Sequence, residues 1–222
     1  MEALVSLSRF ADDALWMMFP KKAVCMGCGS AAGFETEWVC PDCRQLLARR
    51  WLGAFPEPKL DGAAAAYHYA GPAGGVVRNL KYRNVTALAE PMSKAMLRAL
   101  EQIQPVGAEM VVPVPMHPNR LRQRGYNQSE LLAKEIAAAM GVPCEDGLVR
   151  VRDTVQQARL EGDERRANLR DAFRAEACVS GWRVLLVDDV YTTGETAREC
   201  ARALRAGGAI SVSFLSYAKG DQ

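Results

Sequence analysis

Apolar residues from position 109 onward alternate between short runs with strand character and longer stretches at helical spacing. Residues 127–140 place Leu132, Ile136 and Met140 on one face, as in an amphipathic helix. Apolar runs predict strands over 110–114, 148–151, 184–187 and 210–217, and a further helix follows residue 194. Strands that alternate with helices are typical of a parallel sheet with helices on its faces. The sequence therefore predicts an α/β fold with a mainly parallel sheet flanked by helices.

The chain before residue 109 predicts a second set of elements and a boundary. A strand is expected over 63–69, then a turn, helical residues through Leu80 and a longer helix over 87–103. Residues 49–62 contain Pro56 and Pro58 and predict a linker. The sequence thus divides into an N-terminal unit, 1–50, and a larger domain, 60–222. The N-terminal unit begins with a predicted amphipathic helix whose apolar face carries Leu4, Leu7, Leu15 and Met18.

Length and charge narrow the classes of protein that the chain can represent. Its 222 residues suffice for one core of ~150 residues and a smaller appendage. The formal net charge of +2 excludes a whole-protein field that draws the chain onto nucleic acid, although local basic patches remain. The apolar stretch 4–19 is interrupted by Arg9, Asp12 and Asp13, which excludes a membrane span there. The expectation is a soluble, cytoplasmic protein without membrane insertion.

Four of the seven cysteines form two C-x-x-C pairs, Cys25 with Cys28 and Cys40 with Cys43. An odd number of cysteines argues against a disulfide framework, whereas two close pairs place four thiolates around one ion. The spacing predicts a structural zinc site of the knuckle or ribbon kind. A redox role or no metal at all are the alternatives. The other three cysteines are scattered, and Cys200 falls on the apolar stripe of a helix, as expected of a core residue.

Residues 184–196 read V-L-L-V-D-D-V-Y-T-T-G-E-T and form the most informative segment of the chain. A strand that ends in Asp188 and Asp189 offers carboxylates to ribose hydroxyls, and the following helix N-terminus offers free backbone N–H groups to a phosphate. The alternative is a buried strand that merely ends in two acids before a helix. The segment predicts a site for a phosphorylated sugar. Its phosphate-binding part is expected at Thr192, Thr193, Gly194, Glu195 and Thr196, with the Glu195 carboxylate turned outward.

Two further sets of basic residues are expected near this segment. Ligands bind outside the carboxyl ends of strands in open α/β sheets, so the connections 115–127, 152–170 and 192–196 should converge. The first connection carries Arg120, Arg122 and Arg124, which fit the binding of pyrophosphate, with a solvated basic loop as the alternative. Lys81, Tyr82 and Arg83 combine charge and an aromatic ring, a pattern found at sites for an acceptor or for single-stranded nucleic acid.

Residues 184–196 resemble the phosphoribosyl-pyrophosphate signature of type I phosphoribosyltransferases. Together with V-P-V-P-M-H-P-N-R-L-R-Q-R-G-Y-N-Q-S-E-L-L-A (112–133), D-T-V-Q-Q-A-R-L, E-R-R-A-N-L-R-D-A-F and L-K-Y-R-N, they make the chain from about Cys25 onward similar to the ComF family, also called competence protein F or GntX-type proteins. The chain departs from the family pattern at Val155 and Asn84.

The resemblance implies a type I phosphoribosyltransferase fold with a hood at about 60–105 and an N-terminal four-cysteine zinc element. It also implies that Asp188 and Asp189 hold the ribose of phosphoribosyl pyrophosphate directly or through magnesium, that 192–196 bind its 5-phosphate, and that the arginines bind pyrophosphate. A flap over the site would carry Gln156, Gln157, Arg165 and Asn168.

Two functions are compatible with this resemblance. The first is a magnesium-dependent phosphoribosyltransferase, a glycosyltransferase of the pentosyl class, with an unknown acceptor. The second is a non-catalytic accessory protein that binds single-stranded DNA in natural transformation, uses the same fold as a ligand-binding scaffold and works with DNA-uptake proteins. Fold alone does not decide between them. The sequence leaves the oligomeric state and the partner of the zinc element open.

Overall fold

The computed structural model describes residues 24–31, 38–103, 107–151 and 171–220. Two sets of sequence predictions lie outside these ranges. The first is the N-terminal amphipathic helix before Val24. The second is the proposed flap, with Gln156, Gln157, Arg165 and Asn168.

Six α-helices and seven strands make up the part of the chain that the structure describes. The helices are α1 (Pro41–Arg49), α2 (Pro72–Tyr82), α3 (Ala89–Leu100), α4 (Pro118–Arg124), α5 (Gln128–Met140) and α6 (Glu195–Ala206), with 3-10 turns at Thr86–Leu88 and Ala177–Val179. The strands are β1 (Trp51–Ala54), β2 (Gly62–His68), β3 (Met110–Pro113), β4 (Leu148–Arg150), β5 (Phe173–Ala175), β6 (Arg183–Tyr191) and β7 (Ser211–Lys219). Among these helices, none is both long and apolar enough to cross a membrane.

Five strands form one sheet in the order β1-β2-β7-β6-β3. Strands β2, β7, β6 and β3 are parallel, and β1 alone runs antiparallel to its neighbour. Strands β4 and β5 form a separate antiparallel pair. The predicted mainly parallel sheet is confirmed. Strands β6 and β7 are largely buried on both faces, as expected of central parallel strands that helices cover on both sides.

The core is divided by the sheet into two apolar layers. Leu185 and Val187 of β6 pack on one side with Leu132 and Ile136 of α5, in the layer that also contains residues of α2 and α3. The alternate residues Val184 and Leu186 pack on the other side with Cys200 and Leu204 of α6. Successive side chains of a strand point to opposite faces, so one apolar run supplies both layers. Cys200 is a core residue, as its place on the helix predicts.

Two connections converge at one edge of the sheet and define the position of the site. Strand β3 pairs with β6 in the register Pro113↔Val187, so β3 ends beside Val187, just before Asp188, while β6 continues to Tyr191. The chain after β3 leads to α4 and α5, and the chain after β6 leads to α6. Because these are the carboxyl ends of parallel strands, their connections meet in one crevice.

The structure differs from the sequence predictions in two segments. Residues 51–54, within the predicted linker, form β1, which pairs with β2 in the register Gly53↔Ala65. The predicted loop 115–127 contains the helix α4. Pro118 occupies a first-turn position of α4, His117 Nδ1 accepts a hydrogen bond from the Asn119 N–H at 3.2 Å, and Gly125 ends the helix at φ 84°.

Candidate functional site

Asp188 and Asp189 lie near the end of β6, and Asp189 stands two residues before the strand ends at Tyr191 and the chain turns toward α6. Asp188 is half-buried, and its Oδ1 accepts hydrogen bonds from Ser129 Oγ at 2.7 Å and from the Asp189 N–H at 2.8 Å. Burial and the neighbouring Asp189 carboxylate raise the pKa of Asp188 to about 7. The negative charge of the acidic pair is therefore incompletely stabilised. A bound cation or a ligand with several hydroxyl donors would stabilise it.

Lys81, near the end of α2, supplies a cation to the second carboxylate. Lys81 Nζ lies 2.7 Å from Asp189 Oδ2, and the Asp189 side chain is 2% exposed. Oδ2 accepts no hydrogen bond of ordinary geometry from the described residues, so the contact is an ion pair. Burial alone would lower the pKa of Lys81, but the charges of Asp189 and Asp188 outweigh it and raise that pKa. Lys81 therefore stays charged and stands beside Asp189 as part of the crevice.

The segment from Thr192 to Thr196 forms the turn between β6 and α6. Thr192 and Thr193 are exposed, and Gly194 adopts a left-handed conformation with φ 78°. No side chain caps the N-terminus of this 12-residue helix. Its first N–H groups are therefore not satisfied by a capping side chain, and the positive end of the helix dipole lies at the same place. Such a turn can bind a phosphate group.

A network of hydrogen bonds centred on Glu57 and Arg198 supports this turn. Glu57 accepts hydrogen bonds from Arg198 Nε at 3.1 Å and Nη2 at 2.8 Å, and also from the Tyr191 hydroxyl. Arg198 Nη1 donates to the Thr193 carbonyl at 3.0 Å and lies 3.3 Å from Glu195 Oε1. The Glu195 carboxylate was expected to turn outward, but it is paired with Arg198 instead. This pairing reduces its repulsion of an anion bound at the turn.

Sequence reasoning did not identify Glu57, Arg198, Tyr191 or Ser129. One signal was present, because Arg198 places a cation in the first turn of a helix, where the dipole disfavours positive charge. Glu57 lies between two prolines in a segment that carried no chemical motif, and it meets Arg198 across 141 residues of sequence. No local pattern reveals a contact of that range.

We expect Glu57→Gln to destabilise the fold by about 2 kcal/mol near neutral pH, because it leaves the Arg198 guanidinium without its buried counter-charge. Burial would raise the pKa of Glu57, but Arg198 and Tyr191 outweigh burial and hold that pKa below its ordinary 4.5. The unfolded chain therefore takes up this proton first as the pH falls. The stabilising contribution is complete above about pH 5 and is lost as the pH drops through the folded-state pKa.

Urea unfolding of the wild type and of Glu57→Gln at several pH values measures this contribution. The difference in unfolding free energy should shrink as the pH falls below 4.5. Glu90→Gln is the matched control, because the Glu90–Lys94 pair is 61% and 64% exposed and should change stability by less than about 0.5 kcal/mol. A constant difference between pH 7 and pH 3.5 would contradict the assignment.

Two of the three predicted arginines face a cavity of about 400 Å³ beside Lys81. Arg124 Nη1 donates to Gln128 Oε1 at 2.6 Å, and the Arg124 guanidinium lies 5.3 Å from the centre of the Tyr82 ring. Arg122 is not among the lining residues and donates to Asn119 Oδ1. Helical spacing explains the split, since residues four apart share a face of α4. The cavity is lined by Lys81, Tyr82, Asn84, Arg120, Gln123, Arg124 and Tyr126.

The four cysteines of the two C-x-x-C pairs come together in the structure. Their Sγ atoms all lie within 4.8 Å of one another, as four ligands of one tetrahedral ion require. Cys25 Sγ accepts the backbone N–H of Cys40 at 3.2 Å and that of Cys28 at 3.5 Å. Burial opposes ionisation of Cys25, but these backbone donors outweigh it and lower the pKa of Cys25 to about 6. The cluster could therefore hold a metal that prefers thiolate ligands.

The four-cysteine element is packed directly on helix α2. Asn79 Nδ2 donates to the Met26 carbonyl at 2.8 Å and to the Gly75 carbonyl at 3.0 Å. A Cβ atom at Gly75 would lie 1.8 Å from the Gly27 carbonyl oxygen, so only glycine allows this approach. The helix that contacts the cysteine element therefore also carries Lys81, which contacts Asp189.

The chain is similar in sequence to proteins named for competence and for DNA utilization. No family model matches the chain. Competence protein F of Haemophilus influenzae is 27% identical over 216 residues, which cover 90% of this chain and 91% of that protein. The DNA utilization protein YhgH of Salmonella typhi is 31% identical over 195 residues, which cover 86% and 81%. Competence protein ComFC of Bacillus subtilis is 24% identical and covers 94% and 91%.

Among solved structures, the chain is similar to the glutamine phosphoribosylpyrophosphate amidotransferase from B. subtilis complexed with ADP and GMP. The TM-score is 0.40 and the identity 27%, and the match covers 57% of this chain. The chain spans only 26% of the length of that protein.

Proposed function

The chain belongs to the ComF family, which includes competence protein F and the DNA utilization protein YhgH, and from this membership and the geometry of the crevice we propose that it binds phosphoribosyl pyrophosphate. One observation carries the proposal. An acidic pair near the end of β6 is followed, two residues later, by a turn with exposed threonines and by a helix N-terminus without a side-chain cap. Carboxylates suit the ribose diol, and free N–H groups suit the 5-phosphate.

Different residues of the crevice would bind different parts of the ligand. Thr192 to Thr196 would bind the 5-phosphate, and Asp188 and Asp189 would bind the ribose hydroxyls. Arg120 and Arg124, which line the neighbouring cavity with Lys81, would bind the pyrophosphate group. Arg122 remains a proposed contact, although in the structure it donates to Asn119.

Magnesium fits the same carboxylates. Asp189 Oδ2 is a buried oxygen without a hydrogen-bond donor, and its only cationic neighbour among the described residues is Lys81. Oxygen ligands from carboxylates are those that magnesium prefers, together with water and phosphate oxygens. When bound, magnesium would neutralise charge on pyrophosphate. Zinc fits the four cysteines, since four thiolates in this arrangement are the ligand set of a structural zinc site.

The proposed reaction is pentosyl transfer. A nucleophile on the acceptor forms a bond to carbon 1 of the ribose, and the bond from carbon 1 to the pyrophosphate oxygen breaks. The products are the phosphoribosylated acceptor and pyrophosphate. The protein's part is to position the sugar with Asp188, Asp189 and the turn, and to stabilise the developing charge on pyrophosphate with its arginines. Such catalysis requires no protein nucleophile.

A second function, binding of single-stranded DNA, is favoured by the shape of the basic surface. Tyr82 is 72% exposed and lines both the cavity beside α4 and a cavity of about 250 Å³ against the cysteine element. Arg78 and Arg83 line the second cavity. An aromatic ring between arginines suits stacked bases and phosphates. Relatives named for competence and DNA utilization support a role in DNA uptake for this chain too.

Calorimetry tests the proposed ligand. Titration of the full chain with phosphoribosyl pyrophosphate should give saturable heat with about one site per chain, and omitting magnesium should weaken binding at least about tenfold. No heat at millimolar ligand would overturn the proposal. Release of pyrophosphate with ammonia, a nucleobase or orotate as acceptor would identify the enzyme function. Binding without release for any of these acceptors would favour the accessory function.

A further inference from the structure

A third cavity, of about 780 Å³, lies between helix α1 of the cysteine element and helix α3 of the larger domain. None of its lining residues lines the cavity beside Lys81. Its volume falls within the range of roughly 300–1,000 Å³ that is usual for small-molecule sites. It is therefore a candidate binding site separate from the crevice.

One wall of this cavity is aromatic. The rings of Trp51 and Tyr67 lie 5.6 Å apart between centroids, and those of Tyr67 and Tyr217 lie 5.3 Å apart, both in edge-to-face contact. Trp38 also lines the cavity and is 40% exposed. Apolar side chains such as Met92 complete the surface. Aromatic rings and apolar side chains together suit a planar aromatic ligand.

Two polar groups on this wall have no hydrogen-bond partner within the part of the chain that the structure describes. Neither the Tyr67 nor the Tyr217 hydroxyl makes a hydrogen bond to any residue that the structure describes. Tyr217 is only 4% exposed, yet it is one of the residues that line the cavity. Burial raises the pKa of both tyrosines, which keeps the hydroxyls protonated and able to donate. Unused donors at a cavity wall favour a ligand with acceptor atoms.

The charge of the cavity has one sign. Arg44, Lys94 and Arg98 line it, and no aspartate or glutamate is among its described lining residues. Lys94 pairs with Glu90 on the exposed side of α3. Arg98 is exposed and acts on Tyr67 electrostatically, without a carboxylate among its described neighbours. Arg98 therefore offers the cavity a positive charge with which an anion can pair.

We propose that this cavity binds a nucleotide, with the base against the aromatic wall and the phosphate near Arg98. A neutral aromatic compound would leave Arg98 and the hydroxyl donors unused, and an inorganic anion would leave the aromatic wall unused. A nucleotide supplies a planar base, acceptor atoms and negative charge together. The site does not depend on phosphoribosyl pyrophosphate, because it shares no residue with the proposed site for that ligand.

Tryptophan fluorescence tests this proposal, because Trp38 and Trp51 line the cavity. Titration of the full chain with AMP should give a saturable change. Arg98→Ala should weaken AMP binding at least tenfold, and Tyr217→Phe should weaken it about threefold to tenfold, because each variant removes one polar contact. Lys134→Ala, in an exposed pair on α5, is the matched control and should bind AMP like the wild type.

Three further titrations separate this site from the crevice and identify its ligand. Asp189→Asn should retain AMP binding with the same dissociation constant, whereas a loss would place AMP in the crevice and overturn the proposal. Adenosine and inorganic phosphate should each bind at least tenfold more weakly than AMP. Equal binding of adenosine, or no saturable change with AMP at millimolar concentration, would also overturn it. An oligonucleotide that competes with AMP would show that the nucleotide can come from a single strand.

Discussion

Asp189→Asn is expected to weaken the binding of phosphoribosyl pyrophosphate at least 100-fold, which corresponds to about 3 kcal/mol. Asparagine has the size of aspartate and can still accept from Lys81, so the local packing is kept. The variant removes the buried negative charge that lies 2.7 Å from Lys81 Nζ and that would hold the ribose diol or magnesium. Hydrogen bonds to a charged group are roughly twice as strong as those between neutral groups, and the effect is therefore large.

Calorimetry with magnesium present measures this effect. Asp146→Asn is the matched control, because Asp146 is exposed and belongs to neither cavity. Thermal unfolding of both variants shows whether the fold is intact. An unchanged dissociation constant in a folded Asp189→Asn protein would show that the acidic pair does not bind the sugar.

The same variants separate the two proposed functions. Asp189→Asn should not weaken the binding of single-stranded DNA, since the acid repels phosphates rather than binding them. Arg83→Ala should weaken the binding of DNA and leave the binding of phosphoribosyl pyrophosphate unchanged, because Arg83 is exposed on the side of the cysteine element. Lys81 is a poorer choice for this test because it contacts Asp189. DNA titrations at two salt concentrations should give a weaker salt dependence for Arg83→Ala.

Cys25→Ser is expected to abolish metal binding and to destabilise the chain. Cys25 is buried, its Sγ accepts two backbone N–H groups, and it is one of four converging thiols. Structural zinc sites of this kind fold only with the metal, and the binding free energy is of order 10 kcal/mol. The contacts of the cysteine element with Gly75 and Asn79 of α2 would then be lost. We expect the melting temperature of the remaining domain to fall by about 5 °C.

Metal analysis and calorimetric melting measure both parts of this expectation. The wild type should hold about one zinc ion per chain and Cys25→Ser none. Cys178→Ser is the matched control, because Cys178 is exposed and lies outside the cluster. Retention of the full metal content in Cys25→Ser would show that the cluster is not the metal site. An unchanged melting temperature would show that the element does not support α2.

The sequence predicted those parts of the molecule that depend on neighbouring residues. The strand, acids, turn and helix at 183–206 lie together in the chain, and periodicity and the phosphate motif both indicate them. The helix α5 was predicted in the same way, from its apolar spacing and from Asn127, whose side chain caps it by accepting from the Ser129 N–H. Local signals of this kind determine element type.

The parts that the sequence did not predict depend on residues far apart in the chain. Lys81 was placed near the crevice, but its ion pair with Asp189 joins helix α2 to strand β6, which the whole central region of the chain separates. Glu57 meets Arg198 across a similar distance. Strand β1 has four residues, includes Gly53 at φ 79°, and is a strand only because β2 pairs with it. Such contacts are set by tertiary packing, which overrides local propensity.

Strand β1 has a practical consequence for dissecting the molecule. It lies at the outer edge of the sheet and pairs with β2 along Trp51↔Tyr67 to Ala54↔Ala64. A shortened chain that starts at residue 60 would leave unpaired the edge of β2 that faces β1, next to an alanine-rich surface, while the pairing of β2 with β7 would remain. Unpaired strand edges invite association with other chains. A fragment intended to stay monomeric without the cysteine element should therefore retain Trp51 and the residues that follow it.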